Sequence, residues 1–258
     1  MEQENLFDKI QEILGNLHGN FNVLEEQIDI DLQLEYFESS KDNKKNIDRE
    51  ETFNERDDLF SDLKTIQQKK SLLVRLASVD KVEAFRTLER YRQNPDPELK
   101  DWASLAMHES KMLLEGSLLN ENQVFISTGL GGKGQKLRYF AVFLLEVDEV
   151  MDDFKQKIIR SEMEYLFKKN GIEMEEIKFQ EVLVTLKAVI PIQVQLNQIF
   201  EKLIENCNQM GNFLQPNFIV TNVKELSLEE IAEVLESAKS NEDDEVDEGG
   251  EDDEDDED

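Results

Sequence analysis

The chain has 258 residues, and its 59 Asp and Glu against 29 Lys and Arg give a formal net charge of −30 with His neutral. Such a charge repels phosphates and anionic lipid over the Debye length, about 8 Å at physiological salt, so nucleic acid and membrane surfaces are disfavoured ligands and basic proteins favoured ones. A hydrophobic fraction of 39% supports substantial cores, and a single cysteine excludes both an internal disulfide and a thiolate zinc cluster.

Met1–Phe7 carries Glu2 and Glu4 and lacks the basic, apolar, small-residue order of a secretory signal. The longest apolar run, Tyr139–Leu145, is far short of the roughly 20 residues of a membrane-spanning helix. Cytoplasm is the expected location, with no membrane association.

Leu6, Phe7, Ile10, Ile13 and Leu14 recur at intervals of three and four, which predicts an amphipathic helix ending near Gly15 and Gly19. From Phe21 to Phe37 the 28, 30, 32, 34 alternation suits a strand and the 21, 24, 28 spacing a helix. The Glu and Gln content favours the helix. Ser39–Asn54 is nearly devoid of apolar side chains and reads as a polar linker.

Helical stripes return with Leu59, Leu63 and Ile66, then Leu72, Leu73 and Leu76, then Val82, Phe85, Leu88 and Tyr91. Asn94-Pro-Asp-Pro imposes a turn, and Leu99, Trp102, Leu105, Ala106, Met112 and Leu113 begin another helix, on which Trp102 reads as a core residue. The helix, Pro-rich turn and Trp102/Ala103/Ala106 face of Lys81–Glu115 resemble one helical hairpin of the HEAT-type repeats. That resemblance covers one copy and implies a helical surface for binding protein.

Val124–Thr128 is a strand candidate, Gly129-Leu-Gly-Gly-Lys-Gly a loop that no helix tolerates, and Leu137–Val147 a longer strand; the short gap predicts that the two strands pair as an antiparallel hairpin. Next come a helix over Asp152–Lys169 stopped at Asn170-Gly171, a strand from Ile177 to Val189 with a phase slip after Phe179, and a helix through Val194–Ile204. A strand at Phe218–Val223 follows, and then a helix capped by Ser227 and Glu230. From Glu242 to Asp258 there are 14 acids and no base; without them the formal charge is −16. Such a segment cannot form a core and is expected to be disordered.

The expected organisation is N-terminal helices over 1–38, a linker over 39–54, a helical hairpin region over 55–120, an α+β domain over 121–238 and an acidic tail over 239–258. The fold class is α+β: a helical region followed by a small, mostly antiparallel or mixed sheet flanked by helices.

Chemistry has few places to live. His18 and His108 are the only histidines and sit on distant segments, which argues against zinc and for ordinary helix-end or surface roles. No Gly-x-Ser-x-Gly occurs, and among 59 acids the proximity of two carboxylates carries no information. No catalytic residue, metal or cofactor is assigned, and Cys207 reads as a packing residue, with a reactive or intermolecular thiol as the alternative.

The distinctive stretch is the loop whose Gly131, Gly132 and Gly134 would expose amides while Lys133, Lys136 and Arg138 supply charge. It lacks the Gly-Lys-Ser/Thr and following helix of a P-loop. It reads either as an anion or partner contact or as a hairpin whose bases neutralise nearby acids. Arg86, Arg90 and Arg92 form a smaller cluster suited to helix-surface ion pairs. The acidic end, including Asp252, Asp253, Glu254, Asp255 and Asp256, is the expected contact for a basic partner. The reading is a non-enzymatic adaptor or chaperone-like protein that engages a basic partner, ribosomal or histone-like in charge; the alternative is a nucleic-acid or nucleotide-associated factor using loop 129–138.

Overall fold

A computed structural model describes residues 21–45, 47–119 and 124–247, the last nine of these by backbone alone. The stripe at 6–14 and His18 lie outside the described residues. Two compact units are distinguished, one reaching to Lys224 and one starting at Glu225.

In the first unit, β1 (Phe21–Val23) precedes α1 (Ile30–Asn43), whose N-cap Asp29 accepts from the amides of Asp31 and Leu32. The 21–37 segment is therefore strand and then helix. The polar stretch 39–54, expected as a linker, instead holds the last turn of α1 and all of α2 (Arg49–Asn54). Asp48 starts α2 by accepting from the amides of Glu50 and Glu51, and local capping of this kind does not require an apolar stripe.

A 3₁₀ turn at Arg56–Phe60 and a break at 61–65 replace the single helix expected through Leu59, Leu63 and Ile66. Thr65 and Gln68 form a capping box that begins α3 (Ile66–Ala77), so Leu63 falls outside both helices and is 92% exposed. The helices α4 (Val82–Gln93) and α5 (Lys100–Leu119) flank the Pro-rich turn. At that turn Asp96 accepts from Lys69 Nζ at 2.8 Å and from the Tyr91 hydroxyl at 2.5 Å, and these bonds, that of Lys69 foremost, hold its carboxyl below the usual range.

The helix–turn–helix is thus present, but α1 and α3 join it in one apolar cluster, and the expected HEAT-like character of the hairpin is not confirmed. Trp102 is in this core, as expected; its Nε1 donates to the Lys70 carbonyl at 3.0 Å, and the Tyr36 ring meets it edge-on at 5.1 Å.

The remainder of the first unit is sheet with helices. β2 (Val124–Ile126) does not pair with the long strand, as expected of a hairpin, but runs parallel to β1, with Phe21 opposite Val124. The hairpin partner of β4 (Lys136–Leu145) is the two-residue β3 (Gly132–Lys133). After β4 come α6 (Asp153–Asn170), β5 (Glu173–Phe179), β6 (Leu183–Pro191), α7 (Leu196–Asn208) and β7 (Leu214–Thr221). The expected phase slip after Phe179 is the turn between β5 and β6.

These strands are antiparallel in the order β7-β4-β6-β5, with β3 also on β4. A β-α-β-β-α-β sequence with this strand order is the split βαβ, or ferredoxin-like, arrangement. Alternation places Leu137, Tyr139, Ala141, Phe143 and Leu145 on the face that meets Ile159, Met163 and Phe167 of α6 and Phe200, Leu203 and Cys207 of α7. The fold is α+β, with a largely antiparallel sheet flanked by helices.

The second unit contains α8 (Leu228–Asp247). Ser227 and Glu230 make the expected reciprocal cap, at 2.8 and 3.2 Å. The helix continues through Asp247, into the run expected to be disordered.

Candidate functional site

The Gly-rich loop is a junction in the chain. Leu130 N donates to Asn222 O at 3.0 Å, Gly131 N to Thr128 O at 3.1 Å and Arg138 N to Gly131 O at 2.9 Å. Gly134 N donates to Glu25 Oε1 at 2.8 Å. A Cβ on Gly129 would lie 1.8 Å from Val223 O, and one on Gly131, where φ is +67°, would lie 2.4 Å from Glu26 O. The glycines allow the backbone to approach three other segments, and these amides are spent on the protein itself. Gly132 sits in β3, where a Cβ would meet Lys136 O at 2.2 Å.

The loop's cations are likewise engaged. Lys133 and Lys136 each place Nζ 2.6 Å from Glu173, and Lys136 also donates to Gly171 O at 2.8 Å. Arg138 forks onto both oxygens of Glu175 at 2.6 and 2.9 Å and donates to Leu130 O at 2.7 Å. Hydrogen bonds from Lys133 and then Lys136 pull the Glu173 carboxyl down to about 2, and Arg138 lowers that of Glu175. This is the self-neutralising arrangement on an acidic edge strand, where charge also deters edge-to-edge pairing. Arg86 makes the expected helix-surface pair with Glu89, whereas Arg90 and Arg92 reach across to Asp57 and Glu26, outside that helix. Asp252, Asp253, Glu254, Asp255 and Asp256 lie outside the described residues.

A second surface forms where β4 ends. The connections 146–152, 180–182 and 209–213 meet there, tied by Glu146 N to Phe213 O and Met151 N to Glu181 O, each at 2.9 Å. They raise Val147, Val150, Val182 and Met210 into solvent beside Phe154 in the first turn of α6, with Val147 81%, Met210 65% and Phe154 63% exposed. The same connections and the first turn of α6 carry Glu146, Asp148, Glu149, Asp152, Asp153 and Glu181 with Lys155, and Arg160 lies over the Phe179 ring at 5.5 Å where β5 ends. Lys155 is taken by Glu149 at 2.7 Å and Asp152 at 3.5 Å. Asp148 has a φ of 70°, in the left-handed region that Asp tolerates better than most residues, and this helps turn the chain at the rim.

These residues were absent from the sequence-level candidates. Valines in connections and a phenylalanine in the first turn of a helix read as the ends of core elements, and only the topology gathers the three connections at one end. The local signal available was a run of acids interleaved with apolar residues from Glu146 to Phe154.

The helical part holds a groove of about 900 Å³ between α1, α3 and α5. Phe37, Leu105, Met112, Leu113 and Phe125 supply its apolar walls, and Lys41, Lys44 and Arg49 stand at the α1–α2 corner. Glu109, on the wall, accepts from the Tyr36 hydroxyl at 2.5 Å, Ser40 Oγ at 2.6 Å and Lys44 Nζ at 2.5 Å. Burial and the Glu109 carboxylate push the Tyr36 hydroxyl well above the usual range, keeping it a donor.

Cys207 is buried in the sheet–helix core, where desolvation raises its thiol to about 12; this supports packing over reactivity. His108 pairs with Glu26 at 3.0 Å. Among the described residues no group of three or more His, Cys, Asp and Glu is arranged to hold a metal ion, and no helix is long and apolar enough to cross a membrane.

No family model and no curated protein matches the chain. Among solved structures it is similar to a REP-associated tyrosine transposase bound to a REP hairpin, at 10% identity over 34% of this chain and 57% of that one, with a TM-score of 0.31. The likeness to a putative transposase from Deinococcus radiodurans is 15% identity over 42% and 93%, TM-score 0.34. That to the C-terminal domain of MgtC from Mycobacterium tuberculosis is 9% over 37% and 98%, TM-score 0.27. The chain spans little more than half of the first of these, and likenesses at such scores carry no argument about function.

Proposed function

We propose that this chain is a non-enzymatic, cytoplasmic binding protein, an adaptor or chaperone-like factor, that engages a basic partner segment of the kind found in ribosomal or histone-like proteins. The observation that carries the reading is the set of exposed apolar residues at the β4 end of the sheet, on connections and a helix start that carry six carboxylates, with Lys155 already paired to Glu149. Exposed apolar side chains supply the affinity of a contact, and a surrounding field of one sign selects the partner and speeds its encounter. Glu146, Asp148, Asp153 and Glu181 make no ion pair among the described residues, so their charge is available to Lys or Arg of a partner. The acidic run toward Asp258 extends the same preference by attracting basic chains at longer range.

The test is an amide-shift titration with a synthetic peptide of alternating lysine and leucine, beside one with glutamate in place of lysine. The lysine peptide is expected to shift amides of 146–154, 180–182 and 210, and to bind more weakly as salt rises from about 50 to about 300 mM. Phe154→Ser with Val147→Ser should weaken it about tenfold. Equal binding of both peptides, insensitivity to salt, or shifts confined to other surfaces would reject the reading.

A further inference from the structure

We infer that the groove between α1, α3 and α5 is a binding site for an amphiphilic carboxylate: an apolar chain lies along the walls, and its carboxylate sits at the α1–α2 corner. At about 900 Å³ the open groove is large enough to take a small molecule. Its walls are aliphatic and aromatic, with Phe37 and Phe125 facing each other edge-on at 6.1 Å and Met112 and Leu113 following along α5. Methionine and phenylalanine surfaces of this kind accept flexible apolar chains without demanding one shape.

The charge at the corner decides the head group. Of the three cations there, Lys44 is spent on Glu109, whose two oxygens are also filled by Tyr36 and Ser40. Glu109 is therefore saturated and cannot serve as the anchor for a cationic ligand. Lys41 and Arg49 are exposed, line the groove, and make no ion pair among the described residues. Two cations left over beside apolar walls, in a chain with twice as many acids as bases, select an anion with an apolar body.

Ser78 adds a polar group. It lies on the groove wall at the end of α3, buried, and its hydroxyl has no hydrogen-bond partner. Lys81 joins Glu50 at 2.8 Å, so the end of α3 neighbours the start of α2 and Ser78 belongs to the Arg49 end. A carboxylate held there would offer an acceptor to a buried donor that is otherwise unmet.

The experiment titrates the full chain with decanoate and, separately, with decanol, following the side-chain methyl signals of Met112, Leu105 and Leu113. Decanoate is expected to shift them and decanol to bind about tenfold more weakly, since the alcohol lacks the charge that Lys41 and Arg49 complement. Lys41→Ala with Arg49→Ala, both exposed and outside the core, should remove that preference while leaving thermal unfolding unchanged. Met112→Trp should block both ligands by filling the groove. The inference is overturned if decanoate leaves these methyls unmoved, if acid and alcohol bind alike, or if the double variant keeps the preference. It is overturned equally if an acidic amphipathic peptide shifts the same methyls and decanoate does not.

Discussion

Nε2 of His108 stands 3.0 Å from Oε2 of Glu26, and Arg92 takes the other oxygen of the same carboxylate, so one side chain joins the β1–α1 connection to both α4 and α5. The His108 hydrogen bond outweighs burial and holds the Glu26 carboxyl down to about 2, from an ordinary value of 4.5. A carboxylate with a depressed folded value contributes stability that is complete above its unfolded value and is lost as pH falls toward the folded one. Urea unfolding at successive pH values should therefore show an acid limb between about 4.5 and about 2 to which Glu26 contributes. Glu26→Gln should flatten that limb, and an unchanged limb would refute the assignment.

Gly131 and Gly134 both have positive φ, +67° and +60°, but only Gly131 has backbone packed where a Cβ would go. Gly134→Ala should cost about 1–2 kcal/mol, the penalty of a left-handed backbone on an L-residue. Gly131→Ala should cost clearly more, because its Cβ would lie 2.4 Å from Glu26 O and 2.5 Å from Glu25 O. Chemical denaturation midpoints of the two variants measure the difference; equal losses would mean that the junction is looser than described.

Glu173 receives both Lys133 and Lys136. A carboxyl-carbon titration should find it near 2, and Lys133→Ala with Lys136→Ala should raise it toward 4.5. Global stability should hardly move, because the group is exposed and solvent screens the pairs. A normal value in the unsubstituted chain would show that the pairs do not persist in solution.

Cys207 should resist thiol reagents in the folded chain and react promptly once unfolded, since its thiol is both buried and raised to about 12. Fast labelling under native conditions, at a rate that exceeds unfolding, would contradict its place in the core.

Phe200 is fully buried, edge-on to Phe143 and Phe218 with ring centroids 5.3 Å away in each case. Phe200→Ala should cost about 3–5 kcal/mol by the cavity that it leaves. A loss below about 1 kcal/mol would mean that the sheet and α7 collapse to fill the space.

By itself the sequence determined what rests on local physics: the α+β class, the caps at Ser227 and Gly171, the turn at Asn94-Pro-Asp-Pro, the core positions of Trp102 and Cys207, and the acidic excess. Each depends on residues within a few positions of one another, or on composition. The tertiary structure alone decided that β2 pairs with β1 across a hundred residues, that the glycines of 129–132 admit neighbouring backbone, and that Glu173 and Glu175 take the loop's bases. It also decided that three connections bring Val147, Val182 and Met210 to the end of the sheet where α6 starts with Phe154. Strand order and long-range ion pairs depend on which distant surfaces bury each other best, and no spacing within a single segment records that.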